Sequence, residues 1–376
     1  MIDPKIFYES LNKQGIVFYT GVPDSILKNI CSYITDNVVE NNHIIAANEG
    51  NAIALAAGYH LATGKVPLVY MQNSGLGNAI NPLLSLCDPN VYSIPLLLLI
   101  GWRGSPDVPD EPQHIKQGKV QLDLLKAIDV PYEIILKDEH NIDKKIAKSV
   151  QRSIKENRPT AIVVKKGTFD TYNKPISDTA EMLEKREKFL EIILKHIPDN
   201  SIIVSTTGKT SREIFEIREK NRDSHSKDFL TVGSMGHCSS IALGIAIAKP
   251  DRKVFCIDGD GSLIMHMGSL STIGKLFPKN FYHILINNYA YESVGGQATS
   301  ADSIEITKIA KANGYKCVFS IEDPDELIMR IEDYLNNEGP GFLEIKTKLG
   351  SREDLGRPTI KPIDNKVSFM DYLNNN

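Results

Sequence analysis

Between Val254 and Gln297 the chain reads VFCIDGDGSLIMHMGSLSTIGKLFPKNFYHILINNYAYESVGGQ, and two polar clusters in that stretch could do chemistry. Gly259-Asp260-Gly261 closes one apolar run and Asn287-Asn288 closes the next, with 25 residues between them. The pattern predicts two buried parallel strands joined by a crossover helix. The carboxyl ends of such strands open on one edge of the sheet, where ligands of open α/β sheets bind. Asp260 and Asn288 are therefore expected side by side. A carboxylate, an amide oxygen and free backbone carbonyls form a hard oxygen set that suits Mg2+, which keeps phosphate oxygens and water in its remaining positions. Gly259 and Gly261 let the backbone approach a phosphate closely.

Other residues of the right type lie at the ends of apolar runs. Asp24 and Ser25 follow Pro23 at the entry to a helix, as caps do. Glu49 stands at the start of an alanine-rich helix, with Ala46, Ala47, Ala52 and Ala54 around it. A carboxyl in such surroundings is suited to proton exchange. The loop Gln72–Asn78 is glycine-rich and offers backbone N–H groups to an anion or a cofactor ring. Gly101–His114, with three prolines and two glycines, reads as an ordered irregular loop of functional length. It carries Arg103 for anion recognition and His114 for proton transfer. Further on, GKTS at 208–211 invites a phosphate-loop reading, but the first glycine of that motif would fall on Ile203. A glycine-threonine loop before a helix still suits an anion, with Lys209 and Arg212 as candidate ligands.

The elements that must position these residues alternate. Helix-like and strand-like segments succeed one another to about Gly167, a polar stretch TFDTYNKPISDTAEM follows, and the alternation resumes from Leu183. At 376 residues the chain can form two such domains, each of about 150 to 190 residues with its own core. The expected fold class is α/β with two doubly wound parallel-sheet domains, 1–180 and 181–376. A net charge of −4 argues against a nucleic-acid surface. The longest apolar run, Ile94–Ile100, is too short for a bilayer, and the N-terminus lacks the pattern of a signal peptide. Five scattered cysteines without CxxC spacing read as reduced thiols of a cytoplasmic protein rather than a disulfide frame or a zinc site.

The GDG-to-NN pattern resembles the diphosphate-binding motif of thiamin-diphosphate enzymes, and NEGNAIALAAGY resembles the segment carrying their activating glutamate. The resemblance implies thiamin diphosphate and Mg2+ as cofactors, a pyrimidine-binding domain followed by a diphosphate-binding domain, and Glu49 hydrogen-bonded to the pyrimidine N1′. DFLTVGSMGHC is similar to the family's cofactor-gripping turn. There the carbonyl of Gly233 would meet the 4′-amino group, and Met235, next to Ser234, would prop the cofactor in its bent shape. Gly208, Gly259, Gly261, Ser262 and Asn288 would face the diphosphate end, and the metal would be held by Asp260, Asn288 and the carbonyl of Ala290. Larger members carry a middle domain of about 190 residues that is absent here. They also carry a histidine pair, of which only His114 is present in Gln113-His114, and a catalytic glutamate where this chain has Val294, with Glu292 as the nearby alternative.

The resemblance further implies decarboxylation of a small-molecule 2-keto acid. The branch without the middle domain points to 3-phosphonopyruvate, giving phosphonoacetaldehyde and CO2 as in 2-aminoethylphosphonate biosynthesis. Sulfopyruvate, a carboligation of the acetolactate synthase type, and a non-catalytic cofactor sensor are the alternatives. Asp24 and His114 would move protons, and Ser25, Asn78, Arg103, Lys209 and Arg212 would meet the substrate anion. The family's sites lie between subunits, so a homodimer or larger homo-oligomer is expected, with neither membrane nor nucleic acid as partner.

Overall fold

The computed structural model describes residues 1–172 and 183–375. The chain divides into two compact units, Met1–Ile176 with Ser293–Gln297, and Ser177–Glu292 with Ala298–Asn376. The boundary expected at 180/181 lies outside the described residues.

The first unit is built on β1 (Tyr19–Gly21), β2 (His43–Ile45), β3 (Leu68–Gln72), β4 (Leu97–Gly101), β5 (Tyr132–Ile135) and β6 (Thr160–Val164), all parallel in the order β2-β1-β3-β4-β6-β5. Leu97 and Leu99 face one core with Phe7, Leu11 and Ile146, while Leu98 and Ile100 face another with Ala52, Ala56 and Leu125. A parallel sheet covered on both faces needs apolar side chains at every strand position, which is why LLLI is an unbroken apolar run.

The second unit carries β7 (Ile202–Ser205), β8 (Asp228–Leu230), β9 (Val254–Gly259), β10 (Phe281–Asn287), β11 (Cys317–Ile321) and β12 (Gly341–Lys346), again all parallel, in the order β11-β12-β10-β9-β7-β8. Counted from each unit's own first strand, the two sheets have the same order: second, first, third, fourth, sixth, fifth. In each, the chain leaves the first strand toward one edge and the third toward the other. The crevice beyond the carboxyl ends of those two strands is the switch point where α/β sheets take ligands. It lies beyond Gly21 and Gln72 in the first unit, and beyond Ser205 and Gly259 in the second.

Helix Glu49–Thr63 is started by Asn48, whose side chain accepts from Asn51 N at 2.9 Å, and is stopped by Gly64 in a left-handed cap at φ 70°. It is buried on one side only: Ala52, Ile53, Ala56 and Ala57 pack inward while Leu55 and Leu61 are exposed. The loop expected to run to His114 ends earlier, because Pro112 opens helix Pro112–Ala127. Proline suits a first helical turn, where its missing N–H would have no partner anyway. No helix among the described residues is long and apolar enough to cross a membrane. The five cysteines are free thiols. Cys238 and Cys256 nonetheless meet, their sulfurs 3.5 Å apart and close to the Asp258 carboxylate, and burial pushes both thiols up so that they stay protonated.

Candidate active site

Several carboxyls and their partners gather at the carboxyl edge of the first sheet. Asp24, three residues past β1, is fully buried, and its Oδ2 accepts from the backbone N–H of Ile26 and of Leu27, each at 3.0 Å. Burial pushes its pKa up to about 6, against the pull of those N–H groups and of Arg103. Its Oδ1 is buried with no hydrogen-bond partner among the described residues. Glu49 is buried at the first turn of its helix, and Asn78 Nδ2 donates to its Oε2 at 2.8 Å. Asn78, expected in a loop, sits in helix Leu76–Pro82. Gly75 leaves room for the carboxyl: a Cβ there would lie 2.6 Å from Glu49 Cγ and closer still to the carboxyl atoms.

Arg103 lies just past β4, and its guanidinium is already engaged. Nε and Nη2 donate to Asp110 at 2.7 and 2.5 Å, and Nη1 donates to Ser25 Oγ at 2.8 Å. Burial pushes Asp110 up, but Arg103 and the N–H groups of Glu111 and Gly104 outweigh it and hold the carboxyl well below its ordinary range. Asn73 brackets the Arg103 backbone, donating to its carbonyl at 2.9 Å and accepting from its N–H at 3.2 Å. The turn Asn73–Gly75 thus touches Arg103 at one end and Glu49 at the other. His114, half-buried, is held in the helix turn whose backbone packs on Gly104.

The second unit assembles the metal-ligand candidates. β9 and β10 are neighbours in register, Gly259 opposite Ile286, so Asp260 and Asn288 both emerge on the same edge. Asp260 is buried, accepts from Thr299 Oγ1 at 2.5 Å, and is also met by backbone N–H groups, that of Asn288 among them. Burial, only partly opposed by these bonds, pushes its pKa up to about 6. No cationic side chain pairs with it among the described residues. A buried carboxylate with hydrogen bonds but no countercharge fits a divalent cation, and the neighbouring Asn288 amide and Ala290 carbonyl fit the hard donor set. Tyr289, between them, is in the left-handed region at φ 59°. Ser262 Oγ accepts from Gly236 N at 3.1 Å, tying the turn Gly233-Ser234-Met235-Gly236 to the helix that Asp260 begins. Met235 is half-buried, its Cε 3.3 Å from where a Cβ on Gly261 would stand. Gly208, φ 103° and ψ −141°, opens helix Lys209–Asn221 in a conformation open essentially to glycine alone.

Two sequence readings change. Lys209 Nζ pairs with Glu292 at 2.9 Å, and Arg186 Nη1 with the other Glu292 oxygen at 2.8 Å, so neither Lys209 nor Glu292 stands free. Burial pushes the Glu292 carboxyl up, but the two cations outweigh it and keep it ionised. A carboxylate so held is not a proton donor near neutral pH. Sequence reasoning missed Thr299, Asn73, Gly75, Asp110 and Arg186. Asp110 was the most accessible of these, since an arginine seven residues away in one loop needs a partner when buried. Thr299, 39 residues from Asp260, leaves no local signal.

Two family models match: the thiamine pyrophosphate enzyme N-terminal TPP binding domain over residues 4–126, and the C-terminal TPP binding domain over 206–345. Phosphonopyruvate decarboxylase of Streptomyces viridochromogenes is 32% identical over 99% of this chain and 95% of its own length. That of Streptomyces hygroscopicus is 30% identical over 99% and 94%. Sulfopyruvate decarboxylase of Methanosarcina acetivorans is 28% identical over 91% and 90%. With both coenzyme-binding domains matched and similarity running along nearly the whole length, the chain belongs to the family of thiamin-diphosphate-dependent decarboxylases that includes the phosphonopyruvate decarboxylases.

Proposed function

We propose that this chain decarboxylates 3-phosphonopyruvate to phosphonoacetaldehyde and CO2 with thiamin diphosphate and Mg2+. The observation that carries the reading is the buried Asp260 carboxylate, which lies beside Asn288 at a switch point and has no cationic partner among the described residues. When bound, thiamin diphosphate supplies the electron sink that loss of CO2 from a 2-keto acid requires. Asp260, Asn288 and the Ala290 carbonyl hold the metal; Gly208, Gly259, Gly261 and Ser262 leave the backbone open to the diphosphate; Gly233, Ser234 and Met235 hold the rings.

Glu49 would exchange a proton with the pyrimidine, its Oε2 fixed by Asn78 and its other oxygen given room by the bare Gly75. Asp24, half-ionised near pH 6, gives up or takes a proton at Oδ1, with His114 as the second candidate. In the first unit Arg103, steadied by Asp110, holds Ser25 Oγ, and Ser25 and Asn78 are offered to the substrate anion; in the second unit Arg212 is the candidate for the same task. Lys209 is the weakest anion ligand of the set, its charge already balanced by Glu292.

The preference for a phosphonate over a sulfonate tail rests on similarity carried along nearly the whole chain, 32% and 30% to the two phosphonopyruvate decarboxylases against 28% to the single-chain sulfopyruvate decarboxylase. A homo-oligomer with each site completed by residues of two subunits is supported by the exposed apolar side chains Leu55, Leu61 and Ile247. The test is CO2 release from phosphonopyruvate, sulfopyruvate and pyruvate side by side, with cofactor and Mg2+ added. Phosphonopyruvate is expected to be the fastest substrate by tenfold or more. Faster turnover of sulfopyruvate reverses the substrate assignment, and no CO2 from any of the three overturns the reading.

A further inference from the structure

Glu292 has no part in the mechanism above, yet it is the centre of the most highly connected polar group beside the metal-ligand candidates. Its side chain is 8% exposed. Three donors converge on its two oxygens: Lys209 Nζ on Oε1 at 2.9 Å, and Arg186 Nη1 at 2.8 Å and Asn288 Nδ2 at 3.1 Å on Oε2. Arg186 is in turn clamped by Glu213, through Nε at 2.5 Å and Nη2 at 2.8 Å. Two cations and two carboxylates thus make a neutral quartet, buried but for Lys209, and the Asn288 amide joins it among the described residues.

We propose that Glu292 is a positioning residue for the metal site: it orients the Asn288 amide and ties the loop after β10 to the loop that Gly208 and Lys209 form after β7. An asparagine amide has one acceptor end and one donor end, and a carboxylate can accept only from the donor end. The Glu292 bond therefore commits Nδ2 away from the metal and leaves Oδ1 as the ligating end, steadied by Ala290 N at 3.2 Å. Partners of this kind around metal ligands govern affinity as the ligands themselves do. A glutamine cannot take over, since its single acceptor oxygen would face three donors.

The proposal rests on Asn288 as a metal ligand, and the experiment separates the two. Mg2+ binding to the full-length apoprotein with thiamin diphosphate is titrated calorimetrically for wild type, Glu292→Gln, Glu292→Ala, Asn288→Ala and the Glu292→Ala/Asn288→Ala double variant. Both Glu292 variants should weaken Mg2+ about tenfold or more, with most of the lost turnover recovered by excess Mg2+. The double variant should bind no more weakly than Asn288→Ala alone, because the route through Asn288 is already gone. Glu292 variants that bind Mg2+ like wild type, or that add their full effect on top of Asn288→Ala, overturn the proposal. Turnover lost at every Mg2+ concentration with binding intact would make Glu292 a catalytic group instead. Wild-type binding by Asn288→Ala would sink the metal-site reading itself. Should the alanine variant unfold, Glu292→Gln, nearly equal in volume, carries the test, with a Glu292→Gln/Asn288→Ala pair in place of the double variant.

Discussion

Gly75 tests the role of Glu49 without touching the carboxylate. Its backbone, φ −75° and ψ −14°, is one that any residue adopts, so alanine there adds no backbone strain. The added methyl, however, would sit 2.6 Å from Glu49 Cγ. Carbon atoms rest about 3.5–4.0 Å apart, so the side chain must retreat by roughly 1 Å. A misplacement of that size in a positioned group costs about 100-fold in rate, or about 2.7 kcal/mol of barrier. Gly77, two residues on in the same helix start, would meet nothing within 4 Å on gaining a Cβ, which makes Gly77→Ala the matched control. Initial rates of CO2 release at saturating cofactor should fall about 100-fold in Gly75→Ala and stay within about twofold in Gly77→Ala, with cofactor affinity and melting temperature little changed in either. Gly75→Ala at wild-type rate, folded and cofactor-bound, would show that the placement of Glu49 is not what catalysis depends on.

Three further outcomes follow from the same geometry. Glu49→Gln should keep cofactor affinity within about tenfold while abolishing turnover, and equal loss of both would assign Glu49 to binding. For Asp24 the folded pKa of about 6 lies above the ordinary 3.8, so its favourable contribution is present below about pH 4 and is lost as pH rises through 6. The stability of wild type relative to Asp24→Asn should therefore fall by on the order of 2–3 kcal/mol between pH 4 and 7 in urea titrations, and a rise would contradict the burial argument. Arg218, which grips the buried Asp228 through Nε at 2.9 Å and Nη2 at 3.1 Å, should on mutation to alanine cost about 3–5 kcal/mol by leaving that carboxylate unpaired. A loss below about 1 kcal/mol would mean that water reaches Asp228.

The residues legible in the sequence were those that close a strand. Asp260 and Asn288 follow β9 and β10 directly and Glu49 comes four residues after β2, so strand polarity alone assigns them to the ligand edge. Partners supplied from far along the chain were not legible. Lys209 looked like a free cation because its balancing charge, Glu292, is 83 residues away. Arg103 reads as open to an anion only while Asp110, seven residues on in the same loop, is not counted as its partner. His114 was placed in a loop because Pro112 was read as an interruption, whereas at a first turn it begins a helix. The errors at Lys209 and Arg103 concern what a charge is paired with, and pairing is decided by tertiary approach rather than by local pattern.

The identical strand order of the two units carries a consequence for how the chemistry is divided. Both sheets offer the same crevice beyond their first and third strands, so topology cannot be what makes one half handle protons and the other phosphate. The difference lies in what the chain places at equivalent strand ends. Beyond the first unit's strands stand buried carboxyls packed against bare glycines: Asp24 against Gly101, where a Cβ would lie 2.9 Å from its Cγ, and Glu49 against Gly75. At Asp24, burial pushes the pKa up to about 6. Beyond the second unit's strands, Asp260 lies among backbone N–H groups and Thr299, Asn288 is oriented by Glu292, and the two cations nearest to Asn288 are neutralised in pairs. With Lys209 and Arg186 balanced by Glu292 and Glu213, the charge that favours a diphosphate on the proposed reading would come chiefly from the proposed Mg2+, so that reading depends on how firmly Asp260 and Asn288 would grip it.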